Sequence, residues 1–178
     1  MKPEIKSKNS ASVTAGLHDR DALLHTKQIA ESIRFCMMTT VSPEGELFSR
    51  PMTAQQMDDE GNFWFFAADD AEQTFSFDSD ESVNLAFASP DSSKYLSISG
   101  SATIVKDPQK IDELWNPMAS AWFPKGKTDP RLCLIRVHPH VAEYWDSPSS
   151  KVVRLLGVAK ALLIGKTPNG GDHAKVTC

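Results

Sequence analysis

The segment "KYLSISGSATIV", Lys94–Val105, decides the fold. Leu96, Ile98, Ala102 and Ile104 fall on one face, and Ser97, Ser99, Ser101 and Thr103 on the other. A period of two with one apolar and one polar side marks a half-buried β-strand. Just before it, "SVNLAFASP" (Ser82–Pro90) reads as a second strand. Just after it, "DPQKIDELW" (Asp107–Trp115) starts a helix, with aspartate as cap and proline at the first position.

Further out the pattern repeats. "FCMMTTV" (Phe35–Val41) is a strand, "SPEG" (Ser42–Gly45) a turn, and "FSRPMTAQQM" (Phe48–Met57) a second strand closed by the turn "DDEG" (Asp58–Gly61). Together they make a hairpin with long arms. "NFWFFAA" (Asn62–Ala68) is apolar on both faces, as a buried strand is. Leu23, Ile29, Ala30 and Ile33 recur at helical spacing between Asp19 and Arg34, which predicts an amphipathic helix. "DDAEQTFSFDSD" (Asp69–Asp80) reads as a short helix in which Asp70 and Gln73 form a capping box. "NPMASAWFPKGKTDP" is a connection to two further strands, "RLCLIRV" and "VAEYW", with the "HPH" of His138–His140 in a loop between them. "SKVVRLLGVAKALLIG" suits a strand followed by a helical turn. The expected architecture is mainly β with short helices, an antiparallel barrel plugged at its ends. No βαβ rhythm appears, which argues against a Rossmann fold.

At 178 residues the chain suits one domain with a sizeable core. Residues 1–17 are expected to be a disordered tail, 18–165 the folded domain, and 166–178 a flexible tail. A net charge of −4 argues against a nucleic-acid binder. No apolar run reaches the length of a membrane span, and the N-terminus lacks the apolar segment of a secretory signal. Cys36, Cys133 and Cys178 share no metal-ligand spacing, so reduced thiols in the cytoplasm are the simplest account.

Arg50 is the first candidate for chemistry. Alternation sets it with Phe48, Met52 and Ala54, on the apolar side of its strand. A guanidinium there is either a rim arginine whose stem covers its neighbours or a ligand for phosphate or carboxylate. Pro51 cannot donate to a sheet ladder, so the strand is at an edge or bulged at that point. The helix start near Asp70 offers unpaired N–H groups, but Asp69, Asp70 and Glu72 repel an anion. His138 and His140 lack a third ligand, and no metal site is expected. Trp115, Trp122 and Phe123 read as core or interface anchors that could also wall a planar ligand.

Taken in order, "TTVSPEGELFSRPM", "GNFWFFAADDAEQ", "VNLAFASP", "YLSISGSATIVKD", "IDELWNPMASAWFPKGKTDPRLCLIRV" and "AEYWDSPSSKVV" resemble the general stress protein group of the pyridoxamine 5′-phosphate oxidase-like family. The resemblance spans roughly residues 19–165. It implies an FMN-binding, six-stranded antiparallel split barrel and a homodimer with the cofactor at the interface. Arg50 then approaches the FMN phosphate, and the backbone of Arg50, Pro51, Met52 and Thr53 lines the isoalloxazine. The strand end at Phe66, Ala67 and Ala68 runs beside the ribityl and phosphate. Tyr95 falls at a flavin-contacting position, and Trp115 and Trp122 cover the site, from their own or the partner subunit. Where the family commonly carries a phosphate-holding lysine, this chain has Gln73. The loss of one charge-assisted bond costs about 1.5–3 kcal/mol, or about one to two decades of affinity.

The implied function is that of a cytoplasmic, stress-related flavoprotein, an oxidoreductase acting on an unidentified small molecule. The alternative is a non-catalytic flavin reservoir or redox-responsive protein, and FAD is an alternative cofactor. A haem-binding split barrel is a third, more distant class, with His138 or His140 as axial ligand. Pyridoxamine phosphate oxidase activity itself is not expected, because the oxidase's C-terminal substrate arginines have no counterpart. No residue identifies itself as catalytic.

Overall fold

The structure is a computed structural model that describes residues 14–16, 20–69, 81–146 and 172–177. The strands are β1 (Thr14–Gly16), β2 (Phe35–Val41), β3 (Leu47–Thr53), β4 (Gln56–Met57), β5 (Phe63–Ala68), β6 (Glu81–Ser89), β7 (Lys94–Val105), β8 (Leu132–Asp146) and β9 (Asp172–Thr177). The helices are α1 (Arg20–Ile33), α2 (Pro108–Leu114) and α3 (Pro117–Trp122). The sheet runs β1-β9-β8-β7-β6-β2-β3, and β5 joins β8 to the two-residue β4. Every pairing is antiparallel except β1 with β9. The sheet curls on itself as a split barrel. The six expected barrel strands correspond to β2, β3, β5, β6, β7 and β8, with β1, β4 and β9 added at the margins.

β7 behaves as its alternation requires. Leu96, Ile98 and Ala102 are buried in the barrel with Met38, Leu85, Phe87, Phe63, Phe65, Ile135 and Val137. Ile29 and Ala30 of α1 plug this core. The double-sided apolarity of β5 is explained by a second, smaller core. Trp64 faces away from Phe63 and Phe65 and packs with Ile111 and Leu114 of α2, Phe123, Leu132 and Leu134. α2 is capped as expected, with the Asp107 side chain accepting from the backbone N–H groups of Gln109 and Lys110.

Several expectations are corrected. "RLCLIRV" and "VAEYW" are one strand, β8, and His138–His140 lie within it. The register against β7 shifts between Ser99 and Gly100, which pair with Val141 and Pro139 and leave His140 as the extra residue of a bulge. Pro139 is tolerated because the far side of β8 is unpaired there, between the end of β5 at Val137 and the start of β9 at Val141. The strands approach so closely at this point that a Cβ on Gly100 would lie 2.2 Å from the His138 carbonyl oxygen.

"FSRPMTAQQM" is likewise not one arm of a hairpin. The chain breaks at Ala54 and Gln55, so β3 pairs with β2 while β4 pairs with β5. The segment read as a connection contains α3, whose cap is Asn116. Within residues 1–17 and 166–178, Thr14–Gly16 form β1 and Asp172–Thr177 form β9. The predicted helix 69–80 beyond Asp69, and the segment 150–165, lie outside the described residues. No described helix is long and apolar enough to cross a membrane.

Candidate functional site

A cleft of about 390 Å³ opens where β3, β5 and α3 converge. Pro51, Met52 and Thr53 form one wall, Phe66, Ala67 and Ala68 another, and Met118, Ala119, Trp122 and Phe123 the third. Arg34, Gln55 and Arg131 complete the lining. The volume falls in the range of small-molecule pockets.

Local chemistry fixes these walls. The break after Thr53 turns Gln55 back, so that its side-chain amide donates to the Thr53 carbonyl at 2.9 Å. Asn116 then joins wall to helix. Its oxygen accepts from the N–H groups of Met118 and Ala119 as a cap, and its amide donates to the Gln55 side chain at 2.7 Å. α3 is thereby held against the strand break, with Trp122 78% exposed on its free side. Trp115 packs behind the wall on Phe66, ring centroids 5.7 Å apart.

Arg50 sits on the barrel-facing side of β3, opposite buried Met38, as alternation predicts. It does not face a closed core, because β3 ends the sheet among the described strands and this position is half-buried. Its Nη2 lies 3.5 Å from Thr40 Oγ1. Desolvation lowers its pKa, yet a guanidinium stays charged in a protein.

Arg131 forks onto Asp129, with Nε and Nη2 each 3.2 Å from a carboxylate oxygen. Hydrogen bonds from the Arg131 side chain and backbone hold the buried Asp129 carboxyl below the usual range. Lys106 pairs with Asp69 beside this wall. Arg34 is the whole linker between α1 and β2. Its backbone adopts φ +64°, its N–H donates to the Ala30 carbonyl at 2.7 Å, and its carbonyl accepts from Ala54 at 2.8 Å. Left-handed backbone at a residue with a Cβ costs about 1–2 kcal/mol.

Cys133 lies under the β5 wall with its thiol 3.4 Å from the Ala67 carbonyl. Burial pushes its pKa up to about 11, and that of Cys36 to about 12. Both thiols stay protonated at neutral pH and are poor nucleophiles.

Of the residues singled out in the sequence, Pro51, Met52, Thr53, Phe66, Ala67, Ala68, Trp122 and Phe123 line the cleft. Arg50 is not in the lining, although it adjoins Pro51 in the chain, and Trp115 packs behind the wall on Phe66. Tyr95 is elsewhere, on the outer face of the sheet, paired with Ala88 and Trp145. Gln73 lies outside the described residues. His138 and His140 do not line the cleft; His138 Nδ1 is 3.0 Å from Asn62, and His140 Nε2 is 3.4 Å from Ser101. Sequence reasoning missed Arg34, Gln55, Met118, Ala119 and Arg131. "NP" at Asn116–Pro117, a cap followed by proline at the first helical position, was the available signal for α3.

Comparison with known proteins agrees with this fold. Protein bli-3 of Neurospora crassa is 32% identical over 145 residues, covering 76% of this chain and 69% of that one. A Jannaschia sp. CCS1 protein assigned as general stress protein 26 superposes with TM-score 0.73 at 28% identity, over 89% of this chain and 99% of that one. The general stress FMN/FAD binding protein of Xanthomonas citri is 35% identical, with TM-score 0.61, over 72% of this chain and 89% of that one. Residues 21–169 match the family described as pyridoxamine 5′-phosphate oxidase like, and the chain belongs to that family.

Proposed function

We propose that this protein binds a flavin, FMN in preference to FAD, in the cleft between β3, β5 and α3, and that it works as a cytoplasmic homodimer of the general stress group. The carrying observation is convergence. Pro51–Thr53, Phe66–Ala68 and Trp122, expected at a flavin from three separate stretches of sequence, line one cleft, and Arg50 directly precedes the first of these walls. The name of the Xanthomonas citri protein adds independent support.

The residues fit such a group. Arg50 offers a planar donor fork for the phosphate. The Met52 and Phe66 walls are apolar enough for a tricyclic ring, and Trp122 can close over it. A bound flavin supplies electron or hydride transfer, and the protein supplies orientation and shelter from water. None of the residues lining the cleft among the described residues is Asp, Glu, His, Cys or Tyr. The polar groups of that lining are therefore the backbone, Thr53, Gln55 and the guanidinium groups of Arg34 and Arg131, none of which titrates near neutral pH. That suits a simple redox protein acting on a small molecule and equally a flavin reservoir.

The experiment is a titration of flavin-free protein with FMN and FAD, followed by flavin fluorescence. Saturable quenching with FMN bound more tightly is the expected result, and no saturation with either flavin overturns the proposal. With the flavin bound, NAD(P)H consumption with an electron acceptor at rates above free FMN separates the oxidoreductase from the reservoir.

A further inference from the structure

We infer that Arg34 is an anion-binding residue, and that the molecule acted on at the cleft carries a carboxylate or phosphate that Arg34 receives. The assignment of that anion to a substrate, and not to the cofactor, rests on the flavin reading above.

Three observations lead there. First, the junction between α1 and β2 is a single residue with φ +64°, the place after a helix where glycine is preferred because it has no Cβ. An arginine held in such a conformation at a cleft points to use of its side chain. Second, Arg34 lines the cleft, and its carbonyl is tied to the strand break that shapes the wall. Third, its guanidinium has no hydrogen-bond or ion-pair partner among the described residues. Glu31, one turn earlier, forms no ion pair with it. The other arginine in the lining, Arg131, is by contrast committed to Asp129.

Position separates Arg34 from the phosphate site. Phe35, the residue after Arg34, pairs with Thr53, three residues beyond Arg50 on β3, about 10 Å at strand rise. A flavin phosphate at Arg50 leaves Arg34 toward the opposite end of the cleft, where the ring system and whatever reacts with it would lie. A planar five-donor cation there selects an oxyanion.

The ordinary structural account of Arg34 is a cation at a helix C-terminus, and glycine tests the difference. Flavin-loaded wild type, Arg34→Gln and Arg34→Gly are followed by thermal unfolding during titration with sodium phosphate and with sodium succinate. Sodium chloride at matched ionic strength is the control. The expected result is a saturable rise in wild-type Tm with one of the two anions, absent in both variants. Arg34→Gly without anion melts at or above wild type, because its backbone strain is relieved. FMN affinity falls far less in Arg34→Gln than in Arg50→Ala.

Equal anion responses in wild type and Arg34→Gln overturn the inference, as does the absence of a saturable wild-type response. A loss of FMN affinity in Arg34→Gln as large as that in Arg50→Ala also overturns it, by making Arg34 a cofactor ligand. If wild type binds no flavin, the flavin reading falls, and the same titration on flavin-free protein still decides whether Arg34 binds anions.

Discussion

Arg50 carries a charge at the point where the barrel wall ends. Its strand has no neighbour beyond it among the described strands, so the guanidinium escapes full burial. Replacing it with alanine removes one charge-assisted contact to a phosphate, about 1.5–3 kcal/mol. Arg50→Ala is expected to weaken FMN binding about 10- to 100-fold with the fold intact by circular dichroism. An unchanged dissociation constant would place the phosphate elsewhere. Asp58 works on stability instead. Burial pushes its carboxyl up, but hydrogen bonds from Trp64 and Asn62 outweigh that and hold it below its ordinary value. The Trp64 indole donates to it at 2.8 Å. A group depressed in the folded state contributes stability above its unfolded pKa and loses it as pH falls toward the folded one. Wild type should therefore lose stability to urea as pH drops below about 4. Asp58→Ala should cost about 1–3 kcal/mol at pH 7, because the indole N–H loses its partner, and should show a flatter acid limb. Equal acid limbs would show that other carboxylates dominate.

At the scale of elements, the wall formed by α3 depends on one side chain with two tasks. Asn116 caps the helix and grips Gln55, which in turn holds the Thr53 carbonyl. Asn116→Ala should cost about 1 kcal/mol in cap energy and should speed flavin release in stopped-flow displacement, since Trp122 is no longer held over the cleft. Asn116→Asp keeps the cap but not the grip, so it should restore stability and not retention. Retention that follows stability in both variants would show that the Gln55 contact is idle. Elements also mark where the sequence was readable, and α3, read as part of a connection, was not. β7, β6 and α1 were plain because one periodicity ran their whole length. β8 was split in two on paper because Pro139 looks like an end, and only the bulge opposite Gly100 makes it a continuation. The break at Ala54–Gln55 had no signal of its own, since those residues suit a strand and only the competing partners β2 and β5 pull the chain apart. The cleft walls were accessible by family resemblance, whereas Arg34 and Arg131 were not. Their positions follow from a one-residue junction and a buried aspartate, which no local pattern announces.

For the whole molecule the outer face of the sheet sets the argument. Phe35, Met37 and Val41 on β2, Leu47 on β3, Tyr95 on β7 and Trp145 on β8 are all exposed, Leu47 to 72% and Phe35 to 58%. The ladder registers place them on one side: Val41 pairs with Leu47, Met37 pairs with Pro51 and Ala86, and Tyr95 pairs with Trp145. Exposed apolar patches of this kind mark association surfaces, and the proposed homodimer would use this one. It runs into the cleft, because Pro51 and Thr53 belong to that same face and also line the site. A twofold partner on this face would bring Tyr95, remote from the cleft of its own chain, toward that of the other. Met37→Asp would place a carboxylate at the centre of the patch in both copies, and symmetry doubles each penalty. Each apolar side chain withdrawn from water contributes about 1.5–3 kcal/mol, so the dimer constant should weaken by at least about 100-fold. By sedimentation at micromolar concentration, wild type should be dimeric and Met37→Asp monomeric with unchanged circular dichroism. FMN should bind the monomer more weakly, because one side of its site is missing. A dimer that survives Met37→Asp would move the interface off this face, and a monomer with full FMN affinity would make the cleft complete within one chain.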